Sequence, residues 1–244
     1  MKLQKLYSYA RRAIDDYNMI EEGDRIAVGI SGGKDSLTLL YALHGLMQFY
    51  PKHFEIIAIT VDVGFKGMNF EGVSALCDKL GVDYHIVHTD IAQIVFDERK
   101  ESSPCSLCAK MRKGALNETI KELGCNKVAY AHHRDDVVET MLLSLMYEGR
   151  FHTFAPVTYL DRMCVTVIRP LIYVHEADVI GFMRRYDIPV VKSTCPADGN
   201  TRREYAHNLL KQMMVEDPAI KNRMFTAICD SNIKGWERQE GAHY

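Results

Sequence analysis

Apolar residues near the N-terminus recur every three or four positions. Leu3, Leu6, Tyr7, Ala10, Ile14 and Tyr17 fall on one stripe, which predicts an amphipathic helix ended by Gly23. The pattern then switches to short apolar runs. These predict strands at Arg25–Ile30, Ile56–Val61, Asp83–His88 and Lys127–Ala131. Helical periodicity separates them, over Ser36–Phe49, Phe70–Leu80, Pro104–Leu123 and Asp136–Tyr147. A hairpin-like stretch covers Val157–Ile168, and a helix over His175–Tyr186 precedes a short apolar segment, Ile188–Val191. Helices over Arg203–Val215 and Asn222–Ile228 complete the pattern. Such alternation predicts an α/β fold: a doubly wound, mainly parallel sheet with helices on both faces. The domain reading is an N-terminal helix over 1–22, one catalytic domain over 23–234 and a polar, loose tail over 235–244.

In sheets of this kind ligands bind beyond the carboxyl ends of the strands. Ser31 follows the first predicted strand and Asp62 the second. His132, His133, Asp135 and Asp136 follow the strand at Lys127, and Cys195 lies just past Ile188–Val191. Residues Ser31–Ser36 read SGGKDS at a strand–turn–helix junction. Gly32 and Gly33 permit positive φ and close backbone approach, and successive N–H groups at a helix start cradle anions. Ser31 and Ser36 add hydroxyls and Lys34 a charge. The spacing differs from a Walker A loop, which needs GxxxxGK[ST]. Asp135 or Asp136, in AHHRDDVVET, can hold Mg2+ or contact a nucleotide; equally, Asp136 and Glu139 have the spacing of a helix cap.

The segment SSPCSLCAKMRKG places Ser103 as a cap, Pro104 as the first helical residue, and Cys105 and Cys108 on one helical face. A helix N-terminus favours thiolates. Arg112 shares that face. Zinc, a redox pair, a cluster and plain burial are all compatible with one CxxC. Cys77, Cys125, Cys164 and Cys229 sit on apolar faces and read as core thiols.

Charge and composition narrow the class. The 244 residues carry a net charge of −2, so any nucleic-acid contact must be a local patch. Arg11–Arg12, Lys110–Arg112–Lys113, Arg184–Arg185 and Arg202–Arg203 are candidates. No apolar run approaches the ~20 residues of a membrane span, and the N-terminus has no apolar signal core. A cytoplasmic protein without a membrane partner is expected. Seven cysteines without an export signal argue against a disulfide framework.

As a set, SGGKDS, AHHRDDVVET, PCSLC and the IRPL of Ile168–Leu171 resemble the PP-loop (N-type) ATP pyrophosphatases, and within them the tRNA 2-thiocytidine synthetase group. The similarity runs from about Asp24 to Leu210. It implies a Rossmann-like PP-loop ATPase fold. It also implies an enzyme that cleaves ATP to AMP and pyrophosphate, adenylates the C2 oxygen of a tRNA cytidine and replaces that oxygen with sulfur. ATP contacts are implied at Ser31, Gly32, Gly33, Lys34, Asp35, Ser36, Arg112, Ala131 and Asp136, with Lys34 and Asp136 catalytic and Mg2+ present. A 4Fe-4S cluster is implied on Cys105, Cys108 and Cys195. The partners implied are tRNA and a sulfur donor such as a cysteine desulfurase or sulfide, and a homodimer is admitted. The family usually has Gly where Ala131 stands. A lysidine-synthetase-like ligase shares the first two motifs without needing the cysteines. A non-catalytic nucleotide-binding sensor of iron or redox state is the alternative outside enzymes.

Overall fold

The computed structural model describes residues 1–99, 104–191, 194–195 and 202–238. Six strands form one sheet: β1 (Asp24–Gly29), β2 (Phe54–Asp62), β3 (Asp83–His88), β4 (Lys127–Ala129), β5 (Val157–Leu160) and β6 (Val165–Ile168). Their spatial order is β3-β2-β1-β4-β6-β5. The pairs β1–β2, β2–β3, β1–β4 and β4–β6 are parallel, and β5 is antiparallel to β6. Growth therefore runs outward in both directions from β1 and β4, and the switch point lies between them.

Among the described residues, eight α-helices surround the sheet: α1 (Leu3–Asp16), α2 (Lys34–Met47), α3 (Glu71–Leu80), α4 (Pro104–Glu122), α5 (Arg134–Leu143), α6 (Glu176–Tyr186), α7 (Arg202–Glu216) and α8 (Ile220–Cys229). Successive strand residues point to opposite faces, and the two faces are covered unequally. Ile26, Val28, Ile56, Ala58 and Ile168 join a large core with α1, α2, α3, α5, α6, α7 and α8. Ala27, Ile57, Ile59, Val128, Val165 and Val167 meet Leu116 and Ile120 of α4. Helix α1 belongs to the large core: Leu6, Ala10, Ala13 and Ile14 are fully buried. Where Tyr7 crosses α2, position 45 has no room for a Cβ, and glycine stands there.

The fold class is as the alternation predicts. Several boundaries differ. Helix α1 stops at Asp16, and the chain turns through Asn18 at φ 44°, well before Gly23. Helix α2 begins at Lys34, two residues inside the loop. Helix α5 begins at Arg134, and its end widens into a π-helical turn over Ser144–Glu148. A second π-helical segment, Gln93–Glu98, carries no period that the sequence betrays. Ile188–Val191 is not a strand; Val191 N–H instead donates to Gly32 O at 3.0 Å. Trp236 does not hang loose with the tail. It is buried edge-on against Tyr17 and Phe225, because its indole is the large apolar group that closes that corner. Residues 239–244 and the cap position Ser103 lie outside the described residues.

Candidate active site

A cleft of about 610 Å³ opens at the switch point, beyond the carboxyl ends of β1, β2 and β4. That volume suits a nucleotide-sized ligand. Gly29, Ile30, Ile59 and Val61 form its apolar floor. Ser31, Asp35 and Ser36 form one wall; Ala109, Arg112, Lys113 and Leu116 of α4 form the opposite one; Tyr130, Ala131, His132 and Asp136 close the end.

The β1–α2 wall is knitted by its own hydroxyls. Ser36 is buried, and its Oγ donates to Gly33 O at 2.9 Å and accepts from Ser31 N at 3.2 Å. Ser31 Oγ lies 3.3 Å from Ser36 Oγ and accepts from Gly33 N at 3.3 Å. Only Gly32 adopts the left-handed conformation, at φ 77°; Gly33, at φ −78°, is the cap residue of α2. Gly32 is needed for a second reason: a Cβ there would stand 2.5 Å from Val191 Cγ2. The loop glycine thus admits the segment that leads to Cys195, rather than a ligand.

Lys34 leaves the cleft wall. Its ammonium pairs with Asp35 at 2.9 Å and with Glu176 of α6 at 3.2 Å. Burial works against this charge, and the carboxylates of Asp35 and Glu176 outweigh it, so the pKa of Lys34 is raised.

The two neighbouring aspartates after β4 have separate employments. Asp135 is buried, accepts from Glu176 N at 2.8 Å and pairs with Lys221 of α8. Burial alone would raise its carboxyl; the hydrogen bond and charge of Lys221, with the Glu176 amide, hold it below the ordinary range. Asp135 therefore fastens α5 to α6 and α8. Asp136 lines the cleft. One oxygen accepts from His133 N at 2.9 Å in a capping box completed by Asp136 N–H to His133 Nδ1 at 3.4 Å. The cap is formed by His133 and Asp136, not by Asp136 and Glu139. Glu139 is buried against His207 at 2.8 Å.

Two cleft residues lie in the sequence motifs without an assigned role there. Arg169, in the IRPL segment, is 9% exposed, donates to Ala155 O at 2.6 Å and lies over Phe154. Burial pushes its pKa down to about 10. His132 stacks on Phe154 with centroids 4.7 Å apart. Burial, joined by Arg169, pushes its pKa down to about 4. Its neutral ring is therefore the form present near neutral pH. The sequence signals Arg169 by its place directly after the apolar run Val165–Ile168 and within IRPL.

Four permanent cations line the cleft, Arg112, Lys113, Arg169 and Arg203, against two carboxylates, Asp35 and Asp136. A chain with net charge −2 thus concentrates positive potential at one cleft, as binding of phosphate groups requires.

Cys105 and Cys108 stand in the first turn of α4. Cys105 is one turn above the cleft-lining Ala109, so the thiols flank the cleft mouth. Burial raises the Cys108 thiol. Arg112 opposes this, and Cys195 and Cys105 add to it. The thiol near the helix start is therefore raised rather than lowered, because desolvation outweighs Arg112. Cys195 and Cys105 both act on Cys108, so two further soft donors lie within its electrostatic reach, and thiolate donors are the kind an iron–sulfur group takes. Among the described residues, no three such donors converge on one point at ligand distance. Cys77, Cys125 and Cys229 are buried as expected. Cys164 is exposed, because it sits at φ 53° in the β5–β6 turn rather than on an apolar face.

A parallel sheet with a phosphate-suited loop at its switch point defines a nucleotide-binding α/β protein. The PP-loop domain matches residues 4–217, and the chain belongs to that family. Within it, the chain is 39% identical over 232 residues to the tRNA-cytidine(32) 2-sulfurtransferase of Geobacter metallireducens, covering 94% of this chain and 90% of that protein. It is 38% identical to the protein of the same name from Geobacter sulfurreducens, with 93% and 90% covered. In fold it is similar to the U34-tRNA thiolase NcsA from Methanococcus maripaludis, solved with its 4Fe-4S cluster. That match has a TM-score of 0.72 at 24% identity and covers 90% of this chain and 76% of that one. Among the described residues, no helix is long and apolar enough to cross a membrane.

Proposed function

We propose that the protein is an ATP-dependent tRNA sulfurtransferase that adenylates the C2 oxygen of a cytidine and replaces it with sulfur. The observation that carries this reading is a cationic, nucleotide-sized cleft with cysteines at its mouth. The near full-length kinship to tRNA-cytidine(32) 2-sulfurtransferases supports the substrate.

In this reading ATP lies with its base over the apolar floor and its phosphates against the Ser31–Ser36 wall. Arg112, Lys113 and Arg203 face the opposite side of the phosphates. The cytidine C2 oxygen bonds to the α-phosphorus, and pyrophosphate leaves with the bridging oxygen and its electron pair. The residues already hold cations where that charge develops, so little reorganisation accompanies the step. Sulfur then bonds to C2 and the C2–O bond breaks, with AMP carrying off the oxygen. Asp35 and Asp136 are the carboxylates available to a Mg2+ that accompanies ATP; Asp136 keeps one oxygen outside its cap. Lys34 acts by fixing Asp35 rather than by touching phosphate. Cys105, Cys108 and Cys195 are the residues that would hold a 4Fe-4S cluster. When bound, it supplies a soft Lewis acid suited to a sulfur ligand. A cytoplasmic setting suits the substrate; sulfide balances the exchange as it stands, whereas persulfide sulfur from a cysteine desulfurase balances it only with a two-electron reductant.

The test is nucleoside mass spectrometry of tRNA from cells with and without the protein. Loss of 2-thiocytidine, restored by the wild-type gene, is expected. Unchanged 2-thiocytidine, or loss of a lysidine instead, overturns the reading.

A further inference from the structure

Residues 145–152 form one uninterrupted exposed ridge that includes Leu145, Met146, Tyr147 and Phe151. Half of an exposed eight-residue stretch being large and apolar marks an interaction surface rather than ordinary solvent-facing chain. The ridge continues onto α7. The Arg202 guanidinium lies 4.6 Å from the centre of the Tyr147 ring. Tyr205, 57% exposed, stands one turn from Arg202 on the same side of α7. The next residue, Arg203, lines the nucleotide cleft. The aromatic and guanidinium surface is therefore continuous with the cleft through two consecutive residues.

We infer that Tyr147, Arg202 and Tyr205 form a stacking platform for unpaired bases of an RNA loop beside the cleft. The inference rests on the reading of the protein as a tRNA-modifying enzyme and names the surface that engages the tRNA. Three physical points carry it. Flat bases stack on tyrosine rings and guanidinium planes without regard to sequence. Arg202 lies over the Tyr147 ring, and Tyr147 as a residue stays 47% exposed and open to another flat partner. Chemistry on a base takes it out of its stack, and its neighbours then lose stacking partners at the mouth of the cleft. A platform there replaces what they lose. The charge is also complementary. Glu148, the carboxylate of the ridge, is paired with Arg150 at 2.7 Å, so its charge is offset beside the arginines of α7.

The test uses the full chain and a tRNA carrying 2-aminopurine at unpaired anticodon-loop positions. Tyr147→Leu with Tyr205→Leu keeps apolar bulk and removes the aromatic faces. The expected result is roughly a 10- to 100-fold weaker tRNA Kd and loss of 2-aminopurine quenching on binding. ATP affinity and Tm should stay unchanged, and so should the salt slope of tRNA binding. Arg202→Gln should instead lower that slope by about one. Wild-type tRNA affinity and quenching in the double leucine variant overturn the inference. So does a change confined to self-association, which assigns the ridge to a second copy of this chain. No tRNA affinity in the wild-type protein overturns the functional reading and the inference with it.

Discussion

Two helix starts stand at the cleft, that of α2 in its wall and that of α4 one turn beyond its lining, and they are built differently. The start of α2 is closed on itself: Ser31, Gly33 and Ser36 exchange four hydrogen bonds, and Lys34 and Asp35 are tied to each other and to α6. The start of α4 carries two thiols, one exposed and one half-buried, and charge from Cys105 and Cys195 acts on Cys108. The first is preorganised before any ligand arrives. The second presents donors that a ligand must gather. On the proposed function, the first is the phosphate-binding half of the site and the second its sulfur half.

The largest expected effect breaks the second half and spares the first. Cys105→Ser, Cys108→Ser and Cys195→Ser, each reconstituted anaerobically with iron and sulfide, should lose bound iron and fall to background thiolation. ATP binding should change by less than about twofold, because none of the three thiols lines the cleft. Cys229→Ser, in the core, is the control. Full iron and thiolation in Cys195→Ser, together with their loss in Cys229→Ser, would show the ligand assignment to be wrong.

Ser36→Ala breaks the first half and spares the second. Ser36 Oγ is the centre of the loop's hydrogen-bond network, so its removal loosens the donors that must already be in place when charge develops. Pyrophosphate release should fall about a hundredfold, as for other lost preorganised donors, with iron content intact. Turnover near wild type would mean that the loop does not hold phosphate.

This difference between the halves also decides what could be read without a structure. The strands were legible because buried parallel strands are apolar runs, and the Ser31–Ser36 loop because glycine, serine and lysine after such a run have few other uses. Contacts between distant segments were not. Asp135 and Asp136 share one helical turn; only Lys221, far along the chain, separates the fastener from the cleft residue. Ile188–Val191 has strand composition, yet it docks on Gly32 through Val191. Trp236 sits in a polar stretch, where no period announces burial. The cysteine ligands came from family resemblance, since spacing alone leaves one CxxC open.

Gly32 joins the two halves, so its substitution sharpens the comparison. Gly32→Ala should destabilise by about 1–2 kcal/mol for the left-handed backbone and by about 1–3 kcal/mol for crowding Val191. Val191→Ala in the same chain should restore the crowding part and leave the backbone part. A double-mutant cycle in urea measures both. Additive effects would mean that residue 191 does not press on the loop, and that the segment bearing Cys195 is not aligned by it.

The smallest effect concerns His132, at the end of the cleft between the two halves. Its folded pKa, pushed down to about 4 by burial and by Arg169, lies below the ordinary value of 6.5. The unfolded chain therefore takes up a proton at this position before the folded chain does. Stability from the neutral ring is complete above pH 6.5 and declines as pH falls from there towards 4. Between pH 7.5 and 5.5 the decline attributable to His132 should be about 1 kcal/mol, read as the difference in urea stability between wild type and His132→Asn. Saturating ATP should shrink that difference, because phosphates beside Arg169 and Arg203 favour a charged imidazole. A difference that is flat with pH would show that His132 is not held neutral. A difference that ATP leaves unchanged would place the phosphates away from the His132 end of the cleft, and with them the reacting α-phosphorus.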